Sequence, residues 1–205
     1  MEIVCLDMEG VLVPEIWINF AEHTGIPELR RTTRDEPDYD KLMQGRLKIL
    51  DEHGLKLPDI QGVIRRMGPM DGARDFLDGL RKDYQVVILS DTFYEFAMPL
   101  MELLGMPTLF CHKLEVDGVG RVTGYRIRQQ NHKREAVRHF RELNFLTIAA
   151  GDSYNDTAML AEADFGILFH APENVIREFP QFPAETTFPG LRGRIDATAD
   201  RLRRS

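Results

Sequence analysis

The sequence predicts an α/β fold with a doubly wound, mostly parallel sheet and a small helical insertion. Three short apolar runs carry this prediction, and a polar turn follows each of them: residues 3–6, 85–89 and 146–150. Runs of this length are too short for helices, and continuous apolarity is typical of strands buried on both faces of a parallel sheet. Amphipathic helical patterns lie between the runs, which favours alternating strands and helices.

Two further segments complete the predicted fold. A fourth apolar run, residues 165–169, extends the sheet, and alternation over residues 112–128 indicates a hairpin that leaves the main sheet. Residues 15–70 contain three helical patterns and no strand pattern, and Pro14 is well placed to start the first helix. We therefore expect a helical cap at residues 15–70, inserted into a core formed by residues 1–14 and 71–205.

Composition and charge argue against several classes of protein. The 205 residues include 26 Lys and Arg against 33 Asp and Glu, and the net charge of −7 disfavours a nucleic-acid partner. The sequence shows neither a signal peptide nor an apolar stretch of about 20 residues, so we expect a cytoplasmic protein with no membrane partner. Cys5 and Cys111 lie in apolar runs, as expected of small buried side chains rather than of a disulfide or a metal site.

Polar residues follow three of the predicted strands. Asp7 and Ser90 come directly after the first two apolar runs, and Asp152 follows Gly151 after the third. Because ligands bind outside the carboxyl ends of parallel strands, these side chains should converge on one crevice. Polar residues also end strands that have no functional role, but three endings of matched chemistry favour a site.

The side chains at this crevice are rich in oxygen. Asp7 and Glu9 place two carboxylates two residues apart, and residues 151–156 (Gly-Asp-Ser-Tyr-Asn-Asp) add more oxygen atoms. Hard oxygen donors with few nitrogen or sulfur alternatives suit Mg²⁺. The alternatives are a solvated turn for the first segment and a capped helix start for the second, and a capped helix start is compatible with a site.

Two neighbouring residues begin the helical pattern before the third apolar run. Lys133 precedes Ala136 by three residues, and it either extends into solvent or points into the crevice. Spacing alone leaves both orientations open. His132 is interpreted as a surface residue, because the six histidines show no metal-ligand spacing.

Taken in order, four segments resemble the motifs of the haloacid dehalogenase (HAD) superfamily: residues 7–11 (Asp-Met-Glu-Gly-Val), 90–92 (Ser-Asp-Thr), Lys133 and residues 151–156. The resemblance covers nearly the whole chain and implies a catalytic HAD-like core of the Rossmann type. The insertion after the first motif resembles the cap of the phosphoserine phosphatase branch. The pattern is most similar to the bifunctional phosphoserine phosphatase/phosphoserine:homoserine phosphotransferase group, which has Glu9 where most phosphatases of the superfamily have Asp.

This resemblance implies Mg²⁺-dependent phosphoryl transfer through an aspartyl phosphate. Asp7 is then the nucleophile, Glu9 the general acid and base, and Ser90 and Lys133 bind the phosphoryl oxygens. The Mg²⁺ ligands implied are Asp7, Asp152 and the backbone carbonyl of Glu9. Water as the acceptor gives a phosphatase, whereas homoserine gives O-phosphohomoserine.

Residues of the insertion and of the motifs are expected to contact the substrate. Arg46 lies on an otherwise apolar helix stripe, where it either reaches the rim or binds a substrate carboxylate. Glu15 either pairs with an ammonium group, as a glutamate near this position does in phosphoserine phosphatases, or is a favourable acid in the first turn of a helix. Met43 is expected to pack on the carbon skeleton of the substrate, and Asp91 and Asn155 are further expected contacts.

Two other interpretations stay open at this point. A HAD phosphatase that acts on another small phosphate monoester would have Arg46 and Glu15 pointing away from the crevice. A phospho-receiver signalling module shares an acidic cluster, a hydroxyl and a lysine, but needs neither the insertion nor residues 151–156. The expected partners are small molecules, phosphoserine and homoserine, and the sequence is compatible with a monomer or a homodimer.

Overall fold

The computed structural model describes residues 1–32, 35–36 and 38–204, and seven strands in this part of the chain form one sheet. The strands are β1 Glu2–Leu6, β2 Gln85–Phe93, β3 Thr108–Val116, β4 Val122–Arg126, β5 Leu146–Gly151, β6 Phe165–Phe169 and β7 Ala184–Glu185. Their order is β4-β3-β2-β1-β5-β6-β7, and all of these neighbours are parallel except β3 and β4. The predicted mostly parallel sheet is confirmed.

Helices cover both faces of this sheet, which confirms the doubly wound α/β class. Successive residues of β1 alternate between two apolar cores, with Val4 and Leu6 in the first and Ile3 and Cys5 in the second. Helices α1 to α5 and α9 contribute to the first core, and α6 to α8 contribute to the second. The helices are α1 Ile16–Thr24, α2 Tyr39–Glu52, α3 Leu57–Met67, α4 Ala73–Asp83, α5 Tyr94–Leu103, α6 His132–Glu142, α7 Thr157–Glu162, α8 Glu173–Glu178 and α9 Phe188–Arg204.

The central position of β1 determines where the crevice forms. Leu6 pairs with Ile88 of β2 on one side and with Ala150 of β5 on the other. The backbone N–H of Asp7 then donates to the carbonyl of Ala150 at 2.9 Å. The residues that follow these three strands meet at one edge of the sheet, where the strand order reverses between β1 and β5.

Strand β2 is longer than the sequence predicts. Its pairing with β3 continues to Phe93, and the register shifts between Leu89 and Phe93. Ser90 and Asp91 lie in this irregular part of the strand. Irregularities of this kind redirect side chains, so Ser90 and Asp91 can face the crevice although they lie within β2.

The predicted hairpin is present, but the expectation that it leaves the main sheet is wrong. Strand β3 pairs in parallel with β2 near Thr108 and then pairs antiparallel with β4. With nine residues, β3 is long enough to serve both neighbours, so the hairpin extends the edge of the sheet. Its turn reaches the helical insertion, where the backbone N–H of Leu57 donates to the carbonyl of Gly120 at 2.8 Å.

The described part of the segment 15–70 contains three α-helices and no strand of the sheet, as predicted. Helix α1 begins at Ile16, two residues after Pro14. Apolar side chains of all three α-helices in this segment lie in the first core together with residues of the sheet: Phe20, Met43 and Ile64. The insertion therefore shares a core with the sheet, and its assignment as a separate cap domain stays a prediction.

The two cysteines are free and buried, as the sequence predicts. Burial raises the pKa of both thiols above the ordinary value, so Cys5 and Cys111 are protonated near neutral pH. Among the described residues, none of the helices combines the length and the apolarity needed to cross a bilayer.

We expect Gly166→Ala to destabilise the protein, because β6 lies very close to helix α7. A Cβ at this position would lie 2.6 Å from the carbonyl oxygen of Leu160 and 2.8 Å from its Cβ. Overpacking against backbone typically lowers the free energy of unfolding by about 1–3 kcal/mol, which urea unfolding measures. Gly193→Ala in α9 is the matched control, since open space surrounds it; a helical Gly→Ala change stabilises by about 0.5–1 kcal/mol. Equal stabilities of the two variants would contradict the close approach.

Candidate active site

A cavity of about 850 Å³ opens at the carboxyl edge of the sheet, beside helices α1 and α2. Its walls come from segments that are far apart in the sequence. They include most of the predicted site residues: Asp7, Glu9, Glu15, Arg46, Ser90, Asp91, Lys133, Asp152 and Asn155. The predicted crevice is therefore present, and the residues named from the motifs face it together.

Lys133 is held by three carboxylates at the bottom of this cavity. Its Nζ lies 2.8 Å from Oδ1 of Asp7, 2.8 Å from Oδ1 of Asp156 and 3.2 Å from Oδ2 of Asp91. The side chain is buried, so it points into the crevice, which decides between the two orientations that the sequence left open. Burial disfavours the ammonium charge, but the charges of Asp156, Asp7 and Asp91 outweigh it and raise the pKa of Lys133 well above its ordinary value.

The carboxylates of the crevice are close together, and the single positive charge of Lys133 does not balance all of them. Burial, followed by the charge of Asp156, raises the pKa of Asp7 well above its ordinary value, although Lys133 opposes this shift. The same two causes raise the pKa of Asp152 to about 7. Oxygen atoms of Asp7, Asp152 and Asp156 lie within 4.8 Å of one another. Three carboxylates in this arrangement, all oxygen donors, fit a divalent cation such as Mg²⁺.

Asp156 is a site residue that our sequence analysis did not assign. It is fully buried, and its Oδ1 accepts from Lys133 while its Oδ2 accepts from the backbone N–H groups of Asp152 and Ser153 at 3.0 and 3.2 Å. Together with Ser153 it forms a capping box at a short 3₁₀ turn, Tyr154–Asp156. The Ser-x-x-Asp spacing was the signal for this role. Because both its oxygens are engaged, Asp156 orients the loop and Lys133, which leaves Asp7 and Asp152 for a cation.

Gly10 allows the first motif to approach Asp152. Its φ is +76°, and a Cβ at this position would lie 2.3 Å from Oδ2 of Asp152. The loop turns tightly here, since the N–H of Gly10 donates to the carbonyl of Val13 and the N–H of Leu12 donates to that of Met8, both at 2.8 Å. A glycine is required both by the left-handed backbone and by the space.

Glu9 is fixed at the start of helix α1. Its Oε2 accepts from the backbone N–H of Ile16 at 2.8 Å. Burial, followed by the charge of Glu15, raises the pKa of Glu9 to about 8. The carboxyl group is therefore largely protonated near neutral pH and has a proton to donate. Glu15 itself is exposed, stands immediately before α1 and lines the same cavity.

The second and fourth motifs meet at Asp91. Ser90 is buried, and its Oγ accepts from the backbone N–H of Thr92 at 3.3 Å. Asn155 donates through Nδ2 to Oδ2 of Asp91 at 2.9 Å. Asp91 thus contacts both Lys133 and Asn155, and Ser90 lines the same cavity.

The interpretation of His132 as a surface residue is wrong. It is 3% exposed, and its Nε2 lies 3.0 Å from Oδ1 of Asp91. Helix α6 begins at His132 directly after Asn131, whose φ is +48°, and this turn directs the first residues of the helix inward. His112 of β3 lies beside it, with the two ring centroids 4.5 Å apart. Twenty residues separate the two histidines, and no sequence spacing links them.

Arg46 is buried beside the cavity. Its guanidinium lies 4.3 Å from the centre of the Trp17 ring, and its Nη2 donates to the carbonyl of Arg31 at 2.8 Å. Its Nε is buried without a hydrogen-bond partner among the described residues. Arg46 as a whole lines the cavity, where its guanidinium is suited to binding an anion.

The expected contact of Met43 with a substrate does not agree with its position. Met43 is fully buried in the first core, and its sulfur lies 3.6 Å from Nη1 of Arg46. Its place on the α2 stripe directs it below Arg46, so it supports that side chain. The ring of Trp17 lines the cavity wall on this side.

The family model for haloacid dehalogenase-like hydrolases matches residues 5–161 of the chain. The chain belongs to this hydrolase family. This membership sets aside the phospho-receiver interpretation, and it agrees with the four motifs that the sequence analysis identified.

Relatives and solved structures indicate which kind of hydrolase the chain is. The chain is 67% identical over 192 residues to phosphoserine phosphatase ThrH of Pseudomonas aeruginosa, an alignment that covers 94% of each protein. It is 66% identical over 192 residues to a phosphoserine phosphatase of Pseudomonas syringae pv. tomato, covering 94% of this chain and 81% of that one. A solved phospho-aspartyl intermediate analogue of phosphoserine phosphatase has the same fold, with a TM-score of 0.74, 21% identity and coverage of 96% and 98%. The chain is therefore an enzyme, and a phosphatase.

We expect Gly10→Ala to weaken binding of a divalent cation by at least about tenfold, because the new Cβ displaces the carboxylate of Asp152. Calorimetric titration with Mg²⁺ measures this affinity. Gly25→Ala is the matched control: its φ is +70°, so it carries similar backbone strain, but open space surrounds it. An unchanged Mg²⁺ affinity in the Gly10 variant, or an equal loss in both variants, would contradict the proposed contact.

Proposed function

We propose that this chain is a Mg²⁺-dependent phosphoserine phosphatase, converting O-phospho-L-serine and water into L-serine and phosphate, and that it also transfers the phosphoryl group to L-homoserine. One observation carries the proposal. The cavity that holds the Asp7–Lys133 ion pair and Asp152 is also lined by Arg46, which has a buried, unpartnered N–H. One cavity thus offers phosphoryl chemistry and an anchor for a second anionic group. The names of the two Pseudomonas relatives support the same substrate.

The chain's own oxygen atoms would hold the metal ion. Asp7, Asp152 and the backbone carbonyl of Glu9 are the ligands, and Asp156 keeps the loop of Asp152 in place through two backbone N–H groups. When bound, Mg²⁺ neutralises the phosphoryl oxygens and the neighbouring carboxylates. The raised pKa values of Asp7 and Asp152 support a cation here, because both carboxylates are deprotonated more easily beside one.

Asp7 is the nucleophile in this proposal. Its carboxylate attacks phosphorus, the bond between phosphorus and the serine oxygen breaks, and an aspartyl phosphate forms. Lys133 and the hydroxyl of Ser90 bind the phosphoryl oxygens, and Asn155 supports them from the loop after β5. A fixed cation and a fixed hydroxyl stabilise the charge that develops in the transition state without having to reorganise.

Glu9 transfers the proton that this step requires. Its pKa of about 8 keeps a proton on the carboxyl group near neutral pH, and it gives this proton to the leaving serine oxygen. It then takes a proton from the acceptor, either water or the hydroxyl of homoserine, which attacks the aspartyl phosphate. The hydrogen bond from the backbone N–H of Ile16 holds Glu9 in place for both steps.

Arg46 and Glu15 recognise the amino-acid end of the substrate. The guanidinium of Arg46 binds the α-carboxylate, and the carboxylate of Glu15 pairs with the α-ammonium group. Residues 15–70 act as a cap that carries both groups. Since homoserine has the same two charged groups as serine, it can occupy the same place while Asp7 stays phosphorylated.

The deciding experiment incubates the protein with Mg²⁺, O-phospho-L-serine and L-homoserine, and measures inorganic phosphate and phosphohomoserine separately. We expect both products, and we expect Asp7→Asn to reduce both by at least about 10³-fold, because the nucleophile is lost. Asp71→Asn, at an exposed aspartate outside this cavity, is the control and should keep full activity. If only phosphate forms, the protein is a phosphatase without transferase activity. If neither product forms, the substrate assignment is wrong and another phosphate monoester is the substrate.

We expect Arg46→Met to raise KM for O-phosphoserine by about 10- to 100-fold, because this is the loss of affinity expected when one charge-assisted hydrogen bond is removed. KM for p-nitrophenyl phosphate should change little, because that substrate has no carboxylate. The methionine keeps the apolar part of the side chain, and thermal unfolding checks that the variant is folded. Arg66→Met, at an exposed arginine of α3, is the control. Equal effects of Arg46→Met on both substrates would contradict carboxylate recognition.

A further inference from the structure

The carboxylate of Asp91 is surrounded by hydrogen-bond donors from three other elements. On one side, Oδ1 lies 3.0 Å from Nε2 of His132 and 3.8 Å from Nε2 of His112. On the other side, Oδ2 lies 3.2 Å from Nζ of Lys133 and accepts from Asn155 at 2.9 Å. Asp91 therefore connects a pair of histidines to two groups that face the phosphoryl position.

A single arginine determines which nitrogen of each histidine carries the proton. The backbone N–H of Arg128 donates to Nδ1 of His112 at 3.2 Å, and Nη2 of Arg128 lies 3.3 Å from Nδ1 of His132. An arginine side chain can only donate, so both Nδ1 atoms are acceptors. In the neutral rings, both protons are then on Nε2, and both point at Asp91.

This arrangement is unsuited to a metal ion, although Asp91, His112 and His132 are close enough to form a three-ligand cluster. A histidine that binds a metal through Nε2 donates its Nδ1–H to an acceptor. Here both Nδ1 atoms face donors of Arg128, so both Nε2 atoms keep their protons. Burial lowers the pKa of His132, which agrees with a neutral ring that donates one hydrogen bond.

We propose that His112 and His132 are positioning residues that fix Asp91, and that Asp91 in turn holds Lys133 and Asn155 in place for the phosphoryl group. The inference deepens the proposed function and rests on its assignment of Lys133 and Asn155 to the phosphoryl oxygens. It also gives Asp91 a defined task, because its carboxylate would repel a phosphate and is instead occupied by donors.

The need for this second support follows from the proposed reaction. Before transfer, Lys133 is held by Asp7, Asp156 and Asp91. Once Asp7 carries the phosphoryl group, it is an acyl phosphate, and its carboxyl group no longer has a negative charge with which to hold Lys133. Lys133 is then held by Asp156 and Asp91, so the position of Asp91 determines where the ammonium group meets the phosphoryl oxygens.

Two substitutions at His132 separate this role from simple packing. His132→Gln keeps an N–H donor at about the reach of Nε2, whereas His132→Leu keeps bulk and loses the donor. In calorimetric titrations with inorganic phosphate in the presence of Mg²⁺, we expect His132→Leu to raise Kd by about tenfold, since one hydrogen bond to a charged group is lost. His132→Gln should stay within about twofold of the wild type.

Kinetics distinguish this effect from substrate recognition at the other end of the cavity. His132→Leu should lower kcat/KM for O-phosphoserine and for p-nitrophenyl phosphate by the same factor, because both share only the phosphoryl group. His139→Leu, at an exposed histidine of the same helix, is the control and should change neither value. If His132→Leu does not fold, Asp91→Asn takes its place: its amide N–H₂ would face the donors of Lys133 and Asn155, and we expect a loss at least as large.

Each outcome decides the inference. Wild-type phosphate affinity in His132→Leu, or an equal loss in the Leu and Gln variants, would overturn it. If the wild type does not hydrolyse phosphoserine but binds phosphate with the expected pattern among the variants, the proposed substrate is wrong and the positioning role stands. If the wild type hydrolyses phosphoserine and the His132 variants match it, the proposed function stands and the positioning role is wrong.

Discussion

The site depends on one buried cation. Lys133 is surrounded by the carboxylates of Asp7, Asp91 and Asp156, which come from β1, β2 and the loop after β5. A lone ammonium group would be costly to bury, and so would any one of these carboxylates. Together they neutralise one another in part, and the remaining negative charge favours the binding of a metal ion. The parallel strand order makes the arrangement possible, because it brings the ends of β1, β2 and β5 to one edge.

Much of this could be predicted from the sequence, because it depends on local patterns. Continuous apolar runs indicate strands buried on two faces, and the polar residues after them indicate the edge at which a site forms. Asp7, Ser90 and Asp152 were therefore placed correctly in one crevice, whereas Lys133 was assigned to it only by the resemblance to the HAD motifs. Arg46 was identified because a charge interrupts an apolar stripe, and its orientation toward the cavity required the packing against Trp17.

The remaining features arise from contacts between distant segments, which no local pattern records. His132 was misassigned because its burial depends on Asn131 and on β3, which carries His112. Met43 was misplaced because residues of one helix stripe need not reach the same depth. Met43 lies in the first core and contacts Arg46, whereas Arg46 lines the cavity. The hairpin was predicted to leave the sheet because alternation identifies a strand but not the strand that it pairs with. Strand β3 pairs in parallel with β2 and antiparallel with β4.

The origin of these charged groups has a consequence for folding. Residues 7, 91, 133 and 156 span most of the chain, so none of the local units can hide its own charge before the others dock. A partly folded state with only the first half of the sheet would expose Asp7 and Asp91 to water without their lysine, and one with only the second half would leave Lys133 with Asp156 as its partner but without Asp7 and Asp91. Such states lack the ion pairs of the native cluster, and this disfavours them relative to the native chain. The cluster thus couples the two halves of the protein into one cooperative transition.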